Sequence, residues 1–215
     1  MKIIQDNFKT GKTARYCTNS PSNEIKSLWF VIHGYAQLAS DFIRSFDFLD
    51  NENTLIIAPE GLSRFYSRSL PAASWMTISD RENEIHDYVF YLTGLLKYIS
   101  GKYDLKNSVK NLLGFSQGVH TAVRFFAHSD ADFKRLVLCS SDFPPDADFG
   151  KFAENLKSAE MFYLRGRDDS IFTEADFQKS KFLLESNSIK FNEIVFRGSH
   201  EINKDSFAEI LNYNK

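Results

Sequence analysis

N-L-L-G-F-S-Q-G-V-H, residues Asn111 to His120, is a short apolar run that meets a serine with a glycine two residues away on each side. Such a string describes a turn better than a strand or a helix. Leu112 and Leu113 end a buried strand, Gln117 begins a helix, and Ser116 sits at the crossing. A sharp bend there forces the serine into a sparsely populated backbone region, and Gly114 and Gly118 must lack side chains if strand and helix are to approach each other. The Ser116 hydroxyl is then expected to stand exposed at the top of a sheet.

The chain on either side supplies that sheet. Leu28 to Ile32 is a continuous apolar run ending at His33-Gly34, the pattern of a strand buried on both faces. Thr54 to Ala58, Val109 to Phe115, Arg135 to Cys139, Glu160 to Leu164 and Asn192 to Phe196 read as further strands, and residues 12–18 as an edge strand. Helical periods fall between them, at Leu38–Leu49, Arg81–Ile99 (ended by Gly101), Val119–Ala127, Lys151–Lys157, Glu174–Glu185 and Ile202–Leu211. Leu62 to Asp80 shows no clear period and reads as a long loop, unusual in a compact domain. Strands alternating with helices specify an α/β fold, a doubly wound, mostly parallel sheet in one domain over residues 1–215.

Composition bounds the function classes. With 215 residues, 43% of them hydrophobic, the chain can bury a sizeable core. A net charge of −2 with mixed signs gives no basic stripe, which argues against a nucleic-acid partner. Cys17 and Cys139 are too few for a disulfide scaffold and are expected as reduced thiols, a single bridge between them being the alternative. The N-terminal M-K-I-I-Q-D-N-F-K-T has no sustained apolar region, and no run is long enough for a transmembrane segment, so a cytoplasmic location is expected. A homodimer is left open by the sequence, which does not indicate one. There is no H-E-x-x-H and no Cys/His cluster, so neither a metal nor another cofactor is expected.

A serine hydroxyl is a weak nucleophile at neutral pH and needs a base, with a carboxylate to orient that base. Of the five histidines His200 is best placed, in R-G-S-H-E-I between the last strand and the last helix. His120, one turn past Ser116, reads as a group that is packed or that supports the site from behind, and His86 and His128 need no chemical role. Asp168 and Asp169, in R-G-R-D-D-S after the Glu160–Leu164 strand, lie on the same rim as the serine, because loops that follow parallel strands share one edge. An oxyanion is expected to meet the backbone N–H of Gln117, at a helix start, and that of Tyr35 in H-G-Y-A. The aromatic stretch Phe65 to Met76, with Trp75 and Met76, is a candidate substrate-pocket wall.

G-F-S-Q-G, I-H-G after the first strong strand, and the later aspartate and histidine together resemble the phospholipase/carboxylesterase branch of the α/β-hydrolases, which includes acyl-protein thioesterases. The resemblance spans roughly residues 27 to 213. It implies Ser116 as nucleophile, His200 as general base and, through a G-x-x-D loop matched by Gly166 to Asp169, Asp169 rather than Asp168 as the carboxylate. Two departures stand out: Tyr35-Ala36 replaces the smaller residues of an H-G-L-G loop, and Trp75 is followed by Met76-Thr77 instead of Phe-Asp. No insertion is long enough for a helical lid. The expected function is a serine carboxylesterase acting through an acyl-enzyme on small or medium-chain acyl esters. Thioesterase or lysophospholipase-like activity, and a non-catalytic binding domain on the same fold, are the alternatives.

Overall fold

The computed structural model describes residues 1–213. Its strands are β1 (Tyr16–Thr18), β2 (Ser27–Ile32), β3 (Thr54–Pro59), β4 (Ser63–Ser67), β5 (Leu70–Ser74), β6 (Val109–Phe115), β7 (Phe133–Cys139), β8 (Glu160–Gly166) and β9 (Asn192–Phe196). Its helices are α1 (Ala39–Phe42), continued by a 3-10 segment Ile43–Leu49, then α2 (Arg81–Lys102), α3 (Gln117–His128), α4 (Phe149–Leu156), α5 (Glu174–Ser186) and α6 (Lys204–Asn212). Seven strands make one sheet in the order β1-β3-β2-β6-β7-β8-β9, and every pairing is parallel except that of β1 with β3.

The continuous apolar runs follow from two covered faces. In β2, Leu28, Phe30 and Ile32 join the core beneath α2 to α5, while Trp29 and Val31 join the core beneath α1, its 3-10 extension and α6. Strand β6 divides the same way, Leu112 to one core and Leu113 to the other. Because β6 lies fourth of seven, the turn at its end opens onto the middle of the rim. Three helix starts on that half of the chain are capped from within the sequence: Asp148, Thr173 and Asn203 accept from the amides of Lys151, Asp176 and Ser206.

Several boundaries differ from the sequence expectation. The stretch 62–80 is not an unstructured loop: β4 and β5 pair as an antiparallel hairpin with a two-residue turn, Arg68-Ser69, between Ser67 and Leu70. Leu38–Leu49 is not a continuous α-helix; it kinks at Phe46 (φ −115°, ψ 15°), yet Phe42, Phe46 and Leu49 are buried as their spacing suggested. Gly101 does not end α2, which runs one residue beyond it. The edge strand covers only Tyr16–Thr18 of residues 12–18, and α6 begins at Lys204 because Asn203 caps it. Cys17 and Cys139 are free thiols. Among the described residues no helix is long and apolar enough to cross a membrane.

Candidate active site

Ser116 stands between β6 and α3 at φ 53°, ψ −127°, a backbone region that an L-residue enters only under constraint. The constraint is the close approach of strand and helix. A Cβ on Gly114 would strike the carbonyl of Gly118, and one on Gly118 would strike that of Ile32 in the neighbouring strand. The Ser116 amide donates to the Cys139 carbonyl (2.9 Å), which ties the turn to β7.

The loops after β8 and β9 bring the other two groups to this hydroxyl. His200 Nε2 lies 3.0 Å from Ser116 Oγ, and its Nδ1 lies 2.8 Å from Asp169 Oδ2. A carboxylate can only accept, so Nδ1 carries the proton and the Nε2 lone pair faces the hydroxyl. Asp169 is 5% exposed, and its second oxygen accepts from the amides of Ile171 and Phe172 (both 2.9 Å). Burial pushes this carboxyl up, but the Phe172 amide, His200 and the Ile171 amide together hold it below the ordinary range. Asp168 is exposed; its amide donates to the Gly198 carbonyl (2.9 Å), joining the acid loop to the histidine loop. Gly166 allows that junction, since a Cβ there would meet the carbonyls of Ser199 and Gly198.

On the other side of the serine, the loop after β2 is fixed by hydrogen bonds at three of its four amides. Gly34 N–H donates to Gln37 Oε1 (2.7 Å), Gln37 N–H to the Gly34 carbonyl (3.3 Å) and Ala36 N–H to the Ala73 carbonyl (2.9 Å). Among the described residues the Tyr35 N–H has no partner, nor has that of Gln117. His33 holds the loop from beneath. The Gly61 N–H donates to its Nε2 (2.9 Å), so Nδ1 is the protonated nitrogen and donates to the Gly34 carbonyl (2.7 Å). Burial lowers this imidazole to about 4 and keeps it neutral.

Trp75 and Met76 do not line the cleft at Ser116. Trp75 is 1% exposed, packs at a tilt against His33 (5.0 Å between ring centroids) and donates its indole N–H to the His33 carbonyl (2.9 Å). Met76 packs half-buried against the same core. Their link to the site runs through the Gln117 side chain, which accepts from the Trp75 amide (3.1 Å) and donates to the Met76 carbonyl (3.1 Å). Tyr35 is exposed and stacks on Phe65 of the hairpin (5.3 Å).

The cleft itself, about 530 Å³, borders Ser116 and His200 and is bounded by apolar Phe143, Pro145, Ile171, Phe172 and Leu183 and by polar residues that include Asp142, Asp176 and Lys179. Apart from Ser116 and His200, none of these was singled out from the sequence, because they come from two loops and a helix whose periodicity reports burial and not the presence of a cavity. His120 has a partner at the cleft margin: its Nε2 lies 3.0 Å from Asp142 Oδ1. Cys139 lies beneath the serine turn, its thiol pushed up to about 12 by burial, so it is no nucleophile.

Parallel strands, a strained serine turn and a histidine and carboxylate carried by later loops define the α/β-hydrolase fold. Residues 30–208 match the family described as serine hydrolase (FSH1), and the chain belongs to it. It is a serine hydrolase. The structure is similar to that of Zea mays acyl-protein thioesterase 2, with a TM-score of 0.70 at 16% identity over 92% of this chain and 96% of that one. It is also similar to the Bacillus cereus carboxylesterase (0.67, 15% identity, 92% and 91% covered) and to Arabidopsis thaliana SOBER1 (0.66, 15%, 86% and 95%). At such identities the likeness is one of fold. No curated protein sequence matches the chain.

Proposed function

We propose that this serine hydrolase cleaves carboxylic esters of small or medium acyl chains through an acyl-enzyme. The observation that carries the reading is the relay of contacts from Asp169 through His200 to Ser116, 2.8 and 3.0 Å long, with the imidazole tautomer set by its partners. Ser116 Oγ attacks the ester carbonyl as His200 Nε2 takes its proton, and the unpaired amides of Tyr35 and Gln117 hold the oxyanion. His200 then protonates the leaving alcohol, and water repeats the cycle on the acyl-enzyme while Asp169 orients the imidazole throughout. A donor of this kind contributes about 10²–10³ in rate.

The cleft is of mixed character: Phe143, Pro145, Ile171, Phe172 and Leu183 support an acyl occupant, Asp142, Asp176 and Lys179 line it beside them, and its volume lies in the usual range for ligand pockets, about 300–1,000 Å³. The same groups would cleave a thioester, a reading favoured by the fold shared with a protein named acyl-protein thioesterase. A non-catalytic binding role predicts an unpaired His200, and both its nitrogens are engaged.

Exposure of the folded protein to a fluorophosphonate, followed by intact mass, is expected to add one adduct that Ser116→Ala abolishes. A folded protein that stays unmodified would sink the proposal. A panel of p-nitrophenyl esters of rising chain length, with matching thioesters, then reports acyl length and leaving group.

A further inference from the structure

One loop, between β7 and α4, supplies Ser140, Ser141, Asp142, Phe143 and Pro145 to the cleft. The next residue, Asp146, does not line it. Its carboxylate turns to the helices instead: Oδ1 accepts from Arg124 Nη2 and Oδ2 from Arg81 Nη2, both at 2.6 Å. Arg124, on α3, is 5% exposed, and among the described residues Asp146 is its one carboxylate partner. Its other amino group donates to the Tyr88 hydroxyl and to the His120 carbonyl (both 3.3 Å), so α2, α3 and the loop meet at a single buried cation. Partial burial pushes the Asp146 carboxyl up, but the two guanidiniums hold it below the ordinary range.

The other end of the loop is fixed too, by the Phe143 amide donating to Ser180 Oγ on α5 (3.0 Å). Between the two anchors lie Pro144 and Pro145, whose rings lock φ, so displacement of Asp146 is passed on to the wall with little slack. The rest of the lining, apart from Ser116 and His200, is Ile171, Phe172, Asp176, Lys179, Ser180 and Leu183, on elements with which Asp146 makes no hydrogen bond.

We propose that Asp146, clamped between Arg81 and Arg124, is a positioning residue that sets which acyl-chain lengths the cleft accepts, without contacting substrate. The inference rests on the ester-hydrolase reading of the site. Asp146 lies outside the relay of Ser116, His200 and Asp169, so its loss is expected to change selectivity and spare the chemistry.

The test compares a short-chain and a long-chain alkyl fluorophosphonate by their second-order rates of Ser116 labelling, in wild type, Asp146→Asn and Asp146→Glu. In Asp146→Asn the short probe is expected to react within about twofold of wild type while the long-to-short ratio shifts by about tenfold, with partial recovery in Asp146→Glu. Should Asp146→Asn fail to fold, Arg81→Met leaves the buried Arg124 paired and is expected to shift the ratio the same way, by about threefold. Rates that fall together at an unchanged ratio, or a ratio that none of the variants moves, overturn the proposal alone. A folded wild type that reacts with neither probe overturns the ester-hydrolase reading, and this proposal with it.

Discussion

His33 moves no proton in the proposed reaction, yet its titration is the one most exposed to experiment. Buried and neutral, it resists protonation down to about 4, whereas an unfolded chain binds that proton near the ordinary histidine value of about 6.5. Between those two values the unfolded state holds more protons, so stability falls as pH falls, by up to about 1.4 kcal/mol per unit, and the loss from this group stops below about 4. Asp169, Asp142 and Asp146 act in the same direction but are held below the ordinary carboxylate range, so their losses come at lower pH. Urea-unfolding curves from pH 7 to 4 are expected to show this slope in wild type and a shallower one in His33→Asn; equal slopes would contradict it. At this scale the sequence was legible where chemistry and chain order coincide. Ser116, Asp169 and His200 meet as their order on the rim suggested. The task of His33 depends on Gly61, 28 residues away, and no local pattern announces such a bond. Trp75 misled for a related reason: an aromatic in an aperiodic stretch carries no mark of the side it faces.

The β4–β5 hairpin is the element the sequence concealed. Two-residue hairpin turns with positive φ at both central positions are usually announced by Asn-Gly or Asp-Gly, and here Arg68 (φ 48°) and Ser69 (φ 67°) occupy them. Side chains with a Cβ are strained in that conformation, so the turn bears a cost that Asn and Gly would relieve. Arg68→Asn combined with Ser69→Gly is expected to stabilise the protein by about 1 kcal/mol, a rise of about 2–4 °C in Tm by calorimetry. A lower Tm would mean that the strained turn is not a liability. The hairpin also matters to the site, through Ala73 bonded to the Ala36 amide and through the Gln117 side chain that fastens residues 74 to 76 beside Ser116. The kink after α1 escaped prediction because apolar spacing at Phe42, Phe46 and Leu49 is satisfied by tight and regular turns alike.

Across the whole molecule, the sheet was readable because both faces are covered and each central strand therefore carries a run of buried apolar residues, as in Leu28–Ile32 of β2 and Leu136–Cys139 of β7. Burial falls away toward the edges, where β1 is partly exposed and Val195 of β9 faces outward. Hydrogen exchange is expected to follow that gradient, the amides of β2, β6 and β7 exchanging last and those of β1 and β9 early. Fast exchange in β6 would contradict the picture of Ser116 mounted on the most stable part of the fold.

While the polypeptide is still being made, its reactive groups emerge one at a time. His200 reaches Ser116 across 84 residues of chain, and Asp169 lies 31 residues before His200. A ribosome adding roughly 5–20 residues per second releases the serine first, then the carboxylate, and the imidazole only after β9 has been synthesised. While those 84 residues are added the nascent chain carries a hydroxyl with no base, a weak nucleophile. On the proposed mechanism hydrolytic competence arrives all at once near the end, and chains that stall before residue 200 leave fragments unable to attack the esters around them.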